Sequence, residues 1–487
     1  MPKIFEPLQN FKTVDLPEKQ MPFWKIAGPG AILVGLSIGA GEIVIWPLIA
    51  AEYGASMVWA AVLGIFLQLW INFEVGRWTI ATGETVYTGY SRIWRGFAPL
   101  FILLIIVGWI APGWARESGA ALKALIFNSK WQAGTFWGSD TFWTIITFIV
   151  ASVILFGPKM VYQSVEHTIE ILVAVVTVGL ILVAILVGSL DTWKELGSGI
   201  VNVGYKDANM SVKALFIALV FAGAGGTANL FYTFYLRDKN IGMGARVPGL
   251  RNPLRGRTEK VPATGFLFEE TEENRRRFAD WWGYIKRDQI LFFWALNTFT
   301  ILLFIFGSLA VLHPQVVEKG IEALPDRSQL IFDEADILGN SFGEFGRRIF
   351  LLVGVATLFG TQLALLDGVG RSISDIIYTN FKGAQKRELS WWYLLIVGIW
   401  IVAGCAITFV MEKLNVSGLG FLFSAAYMGG FAMALYVPLT LYMNYRFLPK
   451  FAKPKTISTI MMFIASAVYI GFAISSIIWE IKRLIGG

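Results

Sequence analysis

One apolar stretch near the start of the chain is interrupted in its middle by residues that make poor helix. Residues 28–47 are long and apolar enough to cross a bilayer, yet their centre reads Ser-Ile-Gly-Ala-Gly-Glu from Ser37 to Glu42. Glycine costs a helix about 1 kcal/mol relative to alanine, and a carboxylate near mid-bilayer is expensive as well. Irregular backbone at that depth is tolerated only where it is buried in protein or lines a wet cavity. The stretch therefore predicts a functional interruption of a membrane-spanning helix.

A second interrupted apolar stretch covers residues 221–229. Two glycine-broken apolar segments at corresponding places in two halves of a chain indicate the substrate site of a transporter. Small residues in membranes also allow close helix packing, so packing remains an alternative role for these glycines. Their clustering at the two interruptions favours the site. The glycines concerned are Gly39, Gly41, Gly223, Gly225 and Gly226.

Composition places the chain in a membrane. Of its 487 residues, 55% are hydrophobic and only 15% are charged, and the mean hydropathy is +0.60; soluble proteins carry about 25% charged residues. The single cysteine, Cys405, excludes a disulfide framework and a cysteine-based metal site. The net charge of +7 comes from basic residues in loops between apolar runs, so we expect no nucleic-acid partner. The sequence groups no nucleophile, base and orienting residue and contains no cofactor motif, so we expect neither an enzyme nor a cofactor.

Runs of about 20 apolar residues mark membrane spans, and the sequence predicts eleven of them. Their approximate limits are 26–51, 57–80, 97–127, 141–156, 168–187, 213–236, 289–312, 348–369, 391–411, 418–442 and 457–479.

The loops between the spans differ in charge, and cytoplasmic loops carry the excess of lysine and arginine. The long loop 237–288 is basic and loop 313–347 is acidic. We therefore expect segment 1–25 and loop 237–288 to be cytoplasmic and loop 313–347 to be external, in a plasma (inner) membrane. Eleven spans then place the C-terminus outside. Residues 269–287 also predict an amphipathic helix with Trp281 and Trp282 at the membrane interface, either as a linker or as a lipid-contacting element.

Four short motifs resemble the Nramp family of metal transporters when taken in order. Gly28-Pro29 followed by Gly39-Ala40-Gly41-Glu42 has the spacing of the family's first span, which carries Asp-Pro-Gly-Asn. Residues 77–83 are similar to the end of its second span. Residues 115–119 fall where the third span carries Ala-Glu-x-x-Gly, and residues 226–230 fall where the sixth carries Met-Pro-His-Asn-Leu. The order and spacing of the motifs carry the resemblance, which covers spans one to ten.

The resemblance implies an all-α polytopic membrane protein of the leucine-transporter type. That fold is an inverted repeat of five plus five spans with broken spans one and six, to which this chain adds an eleventh span. The first repeat would occupy residues 26–187, an external loop 188–212, and the second repeat 213–442. Residues 443–487 would form the eleventh span and the C-terminus. The two glycine-broken stretches fall in spans one and six, as this fold requires.

Departures from the family pattern alter the metal site that the resemblance implies. The family's metal-binding Asp and Asn fall on Gly39 and Glu42, and its methionine ligand falls on Gly226. The soft sulfur ligand that favours manganese and iron is therefore lost, while Glu42 and Asn229 remain. A roomier, oxygen-only site with one carboxylate suits Mg²⁺, which dehydrates reluctantly. This pattern resembles the Nramp-related magnesium transporters.

The proton-handling positions of the family are also changed. Its histidine of span six falls on Ala228, and its acids of span three fall on Gly113 and Arg116. The resemblance therefore implies little or no proton coupling. We also expect structural ion pairs of Glu74 with Arg77 and of Asp367 with Arg371, which are three and four residues apart on one helix. Arg116 and Glu117 form either a proton or ion relay or an internal ion pair, and we expect the ion pair because arginine does not release protons.

The sequence supports one leading function and two alternatives. The leading hypothesis is a secondary carrier that moves a cation by alternating access, with Mg²⁺ as the first candidate. The alternatives are a carrier of the same fold for a small organic amine and a non-transporting sensor on the same scaffold. The partners are then the transported solute and the lipid bilayer. The candidate substrate-binding residues are Gly39, Gly41, Glu42, Gly223, Gly226 and Asn229, with Glu42 and Asn229 as metal ligands.

Overall fold

The chain is almost entirely helical in the residues that its computed structural model describes, which are 4–19, 21–127, 135–252, 260–320, 330–414, 416 and 418–486. The α-helices are α1 (Phe23–Ile26), α2 (Pro29–Ser37), α3 (Trp46–Tyr53), α4 (Val58–Thr82), α5 (Val86–Ile93), α6 (Phe97–Trp109), α7 (Gly113–Phe127), α8 (Asp140–Phe156), α9 (Val161–Val187), α10 (Leu190–Val201), α11 (Val212–Val220), α12 (Tyr232–Asp238), α13 (Glu272–Asp288), α14 (Asn297–Val311), α15 (His313–Lys319), α16 (Leu330–Asn380), α17 (Leu389–Lys413), α18 (Gly418–Phe447) and α19 (Thr456–Gly486).

Shorter elements join these helices. The strands are β1 (Lys12–Thr13) and β2 (Phe266–Leu267), which pair in parallel. The 3₁₀ segments are Gly54–Met57, Phe136–Gly138, Gly226–Phe231, Gly242–Arg246, Ala384–Lys386 and Lys450–Ala452, and the π-helical segments are Ile38–Ile45 and Gln289–Leu296.

Eight helical runs among the described residues are long and apolar enough to cross a membrane. They are Pro29–Thr82, Phe97–Phe127, Val161–Val187, Glu272–Lys319, Phe342–Asn380, Leu389–Lys413, Gly420–Phe447 and Thr456–Lys482, with Asp140–Phe156 as a shorter apolar helix. The first run joins two predicted spans, and the predicted sixth span is divided between α11, Gly226–Phe231 and α12. The chain is a multi-pass membrane protein, and the count of eleven spans stays a prediction.

Burial separates central helices from peripheral ones. The most apolar window of Pro29–Thr82 is 100% buried inside the protein, whereas the corresponding windows of α17 and α19 are 28% and 33% buried. A helix that is apolar on all sides and surrounded by protein belongs in the interior of a bundle. The interrupted first span is therefore central, and α17 and α19 present apolar side chains outward, where lipid would solvate them.

Two predicted elements differ from what the structure contains. The third span is divided into α6 and α7 at residues 110–112, because Pro112 cannot continue the hydrogen-bond ladder. The acidic loop 313–347 is helical in α15 and at the start of α16, which turns sharply at Gly343 (φ 66°, ψ −167°). Residues 321–329 of this loop and residues 253–259 of loop 237–288 lie outside the described residues.

The N-terminal segment is built into one end of the bundle. Strand β1 pairs with β2 of the long loop, and the Leu16 amide donates to Asn274 Oδ1 on α13 at 3.0 Å. The Trp281 indole donates to the Pro17 carbonyl at 2.8 Å and is 5% exposed. The predicted helix at 269–287 is thus present as α13, but Trp281 lies inside the protein and not at a membrane interface.

Candidate functional site

The first interrupted stretch is widened and kinked rather than fully unwound. Residues Ile38–Ile45 form a π-helical segment in which the Trp46 amide donates to the Gly41 carbonyl, five residues back. Gly39 lies inside this segment with a non-helical ψ of −131°. Single π-helical turns inside α-helices are frequent at functional sites. The glycines thus permit a local change of helical geometry at the depth where the sequence predicts it.

The second interrupted stretch is a true break. Helix α11 ends at Val220, Gly225 has φ 67° and ψ 163°, and a 3₁₀ segment begins at Gly226 with φ 49°. Glycine adopts positive φ without the Cβ penalty that other residues meet. Both halves of this span are buried at the break.

Side chains from two other helices connect the interrupted stretches. Asn297 at the start of α14 accepts from the Ser37 hydroxyl at 2.5 Å and donates to the Ala222 carbonyl at 3.3 Å. On α16, Thr361 Oγ1 lies 3.2 Å from the Gly35 carbonyl oxygen and 3.3 Å from that of Leu36. Side-chain groups thus supply hydrogen bonds where the helices are irregular, as buried backbone requires.

Glu42 lies within the π-helical segment with no exposed surface. Neither of its carboxylate oxygens has a hydrogen-bond partner among the described residues. Thr300 on α14 approaches it, but the Thr300 hydroxyl donates to the Asn297 carbonyl at 3.1 Å. A buried charge is stable only if a counter-charge or hydrogen bonds compensate it. The Glu42 site therefore accommodates either a proton or a bound cation.

Asn229, the second predicted ligand, lies in the 3₁₀ segment Gly226–Phe231 of the second interrupted stretch. It makes no hydrogen bond to Glu42. Its Nδ2 donates to Gln68 Oε1 at 3.1 Å and to the Tyr436 hydroxyl at 3.3 Å. Its Oδ1 is buried and has no partner among the described residues. The two predicted ligands thus each hold free oxygens but are not in direct contact.

A small cavity of about 10 Å³, room for about one water molecule, lies between the two interrupted stretches. Gly41 and Gly223 line it together with three aromatic side chains, Trp109, Trp114 and Phe221. The ring centroids of these three lie 5.5 to 6.2 Å apart, and Trp109 is parallel to Phe221. The cavity thus brings predicted glycines of both stretches to an aromatic wall, and the Glu42 and Asn229 side chains are not among its lining.

The extra room expected at two glycines is occupied by neighbouring groups. A Cβ on Gly39 would lie 2.2 Å from Thr361 Oγ1. A Cβ on Gly226 would lie 3.1 Å from both Gly429 Cα and the Trp109 ring. The expectation of a roomier site is therefore wrong for the arrangement seen here, because Thr361, Gly429 and Trp109 fill the space.

Two of the three expected ion pairs are present, and the prediction of the third, between Arg116 and Glu117, is wrong. Arg77 Nε lies 2.9 Å from Glu74, and Arg371 Nε lies 2.8 Å from Asp367. Arg116 instead points to α8, with Nη2 3.9 Å from Asp140 Oδ2. Adjacent residues of a helix point in different directions, which explains why Arg116 does not reach Glu117. No group of three or more His, Cys, Asp or Glu side chains that would hold a metal ion occurs within the described ranges.

Comparison with known proteins rests on structure, since the sequence matches no family model and no curated protein. The Eremococcus coleocola manganese transporter, in complex with an aromatic bis-isothiourea compound, superposes with a TM-score of 0.69 at 15% identity, covering 98% of this chain and 91% of the other. This chain has that transporter's fold. The resemblance to the Nramp family is therefore confirmed at the level of fold.

Two further structures extend the comparison. MhsT in complex with L-phenylalanine gives a TM-score of 0.50 at 16% identity, covering 92% of this chain and 98% of the other. MHP1, a nucleobase-cation-symport-1 family transporter, gives 0.52 at 12% identity, covering 94% and 93%. The predicted fold class, an all-α polytopic protein of the leucine-transporter type, is thereby confirmed.

Residues that the sequence analysis missed organise much of the site. Gln68, Asn297 and Thr361 contact the irregular backbone of the two stretches. Each is a polar residue in a mostly apolar helical run, where a buried polar side chain needs a partner. That pattern was a usable signal, but it does not identify the partner.

Proposed function

We propose that the chain is a secondary transporter that moves a cation by alternating access, with Glu42 as the central charged ligand. The observation that carries the proposal is the buried Glu42 carboxylate, whose two oxygens lack hydrogen bonds at the π-helical interruption. An unpaired carboxylate inside a membrane marks an ion pathway more often than a structural role. The fold supports the proposal, since the compared structures are of transporters.

Mg²⁺ is the first candidate for the cation. Glu42 and Asn229 offer only oxygen ligands, and Mg²⁺ binds through one or two carboxylates and retained waters. The family's thioether position is Gly226, whose positive φ of 49° disfavours a methionine side chain. Without a soft ligand, Mn²⁺ and Cd²⁺ lose their advantage over Mg²⁺. The compared Eremococcus protein is a manganese transporter, so this selectivity is where the two would differ.

Proton coupling should be weak or absent. Gly113, Arg116 and Ala228 stand where the resembling family has its proton-handling groups, and none of them carries a carboxyl group or an imidazole. Cation entry would then proceed without proton entry.

An organic cation is the second candidate. Trp109, Trp114 and Phe221 form a wall of the cavity between the interrupted stretches, and aromatic faces attract ammonium groups. A small cationic amine would bind against this wall.

For either substrate, we propose that the N-terminus is cytoplasmic and the C-terminus outside, in the plasma (inner) membrane. The charges of the loops support this orientation.

Uptake into proteoliposomes tests the function. Purified full-length protein is reconstituted, and protein-free liposomes serve as the control. Uptake of Mg²⁺, Mn²⁺, Cd²⁺ and tetramethylammonium is measured. At the same time, a pH-sensitive dye inside the vesicles reports the movement of protons. We expect Mg²⁺ flux with no change of internal pH. Flux of tetramethylammonium alone favours the amine carrier, and no flux of any of them favours the sensor. A dye signal that scales with Mg²⁺ flux contradicts the uncoupled mechanism.

A further inference from the structure

Gln68 reaches both sides of the break in the second interrupted stretch. Its Nε2 donates to the Val220 carbonyl at 2.9 Å, at the end of α11, and lies 3.4 Å from the Leu219 carbonyl oxygen. Its Oε1 accepts from the Gly225 amide at 3.0 Å. The last carbonyls of a helix have no partner within that helix. One side-chain amide therefore replaces backbone hydrogen bonds on both sides of the break.

The packing around Gln68 brings its helix close to the break. A Cβ on Gly64, one turn earlier on α4, would lie 2.7 Å from the Ala222 side chain. A Cβ on Gly223 would lie 2.6 Å from Gln68 Oε1. Side chains at these two positions would separate α4 from the break, so both glycines are needed for the amide to reach it.

The backbone contacts fix which way round the Gln68 amide sits. A carbonyl only accepts and an N–H only donates, so the nitrogen must face Val220 and the oxygen must face Gly225. The same Gln68 Oε1 also lies 3.1 Å from Asn229 Nδ2. Amide oxygens only accept hydrogen bonds, so two of them cannot pair with each other. Asn229 must therefore present its nitrogen to Gln68 Oε1. Its Oδ1 is then the atom left without a partner.

We propose that Gln68 is a positioning residue for cation binding, because it sets the Asn229 amide so that the oxygen stays free to accept the cation. The inference rests on the proposed function, in which Asn229 is a ligand. An amide turned the other way would direct two N–H groups to the cation and repel it. Gln68 itself does not touch the cation in this account.

A double-mutant cycle on proteoliposome uptake of Mg²⁺ tests this role. Gln68→Met keeps the length of the side chain and removes its hydrogen bonds. We expect it to raise KM for Mg²⁺ about tenfold, because a tenfold change corresponds to the loss of an interaction about as strong as one hydrogen bond. The maximal flux should fall less than about threefold. In an Asn229→Leu background, which lacks the ligand, we expect the same change to alter KM less than about twofold, because coupled residues are not additive.

The outcomes separate this inference from the function it rests on. An unaltered protein that carries no cation overturns both. An unaltered protein that carries Mg²⁺, with KM unchanged in Gln68→Met or raised equally in both backgrounds, overturns only the positioning role. If Gln68→Met does not fold, Gln68→Glu replaces it, since its protonated carboxyl group donates to the Val220 carbonyl and still accepts from Gly225 and from Asn229 Nδ2. That variant should keep KM within about threefold of the unaltered protein, and a tenfold rise there overturns the inference.

Discussion

Two buried polar regions of this protein differ in whether their carboxylates have hydrogen-bonded or cationic partners. The ion-paired cluster, formed by Arg237, Asp238, Asp367, Arg371 and Asp375, joins α12 to α16. The two segments Ile38–Ile45 and 221–231 form the break region, where Glu42 has no partner. In the ion-paired cluster, Arg371 lies 2.5 Å from Asp238 and 2.8 Å from Asp367, and Arg237 lies 2.9 Å from Asp375.

The difference indicates in which region the buried carboxylates are compensated without a ligand. Each carboxylate of the ion-paired cluster has a cationic partner, and neighbouring hydroxyls add bonds, Tyr393 to Asp367 at 2.8 Å and Thr85 to Asp375 at 2.6 Å. A buried charged group without such partners destabilises the protein by roughly several kcal/mol, or it becomes neutral. The cluster therefore connects α12 to α16, while the oxygens of Glu42 and Asn229 that lack hydrogen bonds are the ones that the proposed cation would bind.

Breaking the ion-paired cluster should have the largest effect on stability. Arg371→Met leaves Asp238 and Asp367 unpaired, with side chains 7% and 0% exposed, and should cost about 3–5 kcal/mol. Lys213→Met is the control, because the Lys213–Glu480 pair is 36% and 27% exposed and should be worth about 1 kcal/mol or less. Thermal unfolding of the purified proteins in detergent measures both. Equal losses of Tm in the two variants would show that the cluster is not structural.

Two buried glutamines give a matched test inside the membrane. Gln68→Met leaves the Gly225 amide and the Val220 carbonyl without partners, at about 1–3 kcal/mol for each group. Gln362 is 3% exposed and makes no hydrogen bond among the described residues. Gln362→Met should therefore leave Tm unchanged or raise it. A lower Tm for Gln362→Met than for Gln68→Met would contradict the hydrogen-bond assignment.

Close approach of the two interrupted stretches should matter next. A Cβ on Gly41 would lie 1.7 Å from the Phe221 carbonyl oxygen, so Gly41→Ala should separate the stretches and cost about 1–3 kcal/mol by overpacking. Gly108→Ala on α6 is the control, because nothing lies within 4 Å of a Cβ there. Uptake and Tm are compared for both. Full uptake by Gly41→Ala would mean that the stretches need not touch during transport.

The sequence predicted the positions of the irregular backbone better than the contacts made there. Glycine and a carboxylate in an apolar run identify a helix interruption locally, so both stretches could be predicted. The partners of Gln68 and Asn229 depend on how α4 and α18 pack against the break, which no local pattern encodes. The filled space at Gly39 had the same origin, since Thr361 lies more than 300 residues later in the chain.

Charged pairs follow the same rule. Glu74 with Arg77 and Asp367 with Arg371 are three and four residues apart on one helix, a spacing that places side chains on one face. Asp238 reaches Arg371 from another helix, and this contact required the tertiary structure. Local spacing thus predicted pairs within helices and missed the interactions that join α12 to α16.

The apparent affinity of Glu42→Gln for Mg²⁺ tests directly whether the proposed cation site lies at Glu42. This change keeps the shape of the side chain and removes the charge, and attraction between unit charges at contact is worth a few kcal/mol at an effective dielectric constant of about 20. Mg²⁺ uptake into proteoliposomes gives the apparent affinity, with Glu52→Gln as the control because it removes a partly exposed carboxylate from the next helix, α3. We predict that Glu42→Gln weakens the apparent affinity about tenfold or more and that Glu52→Gln leaves it unchanged. Unchanged affinity in Glu42→Gln, with intact flux, would contradict a cation site at Glu42.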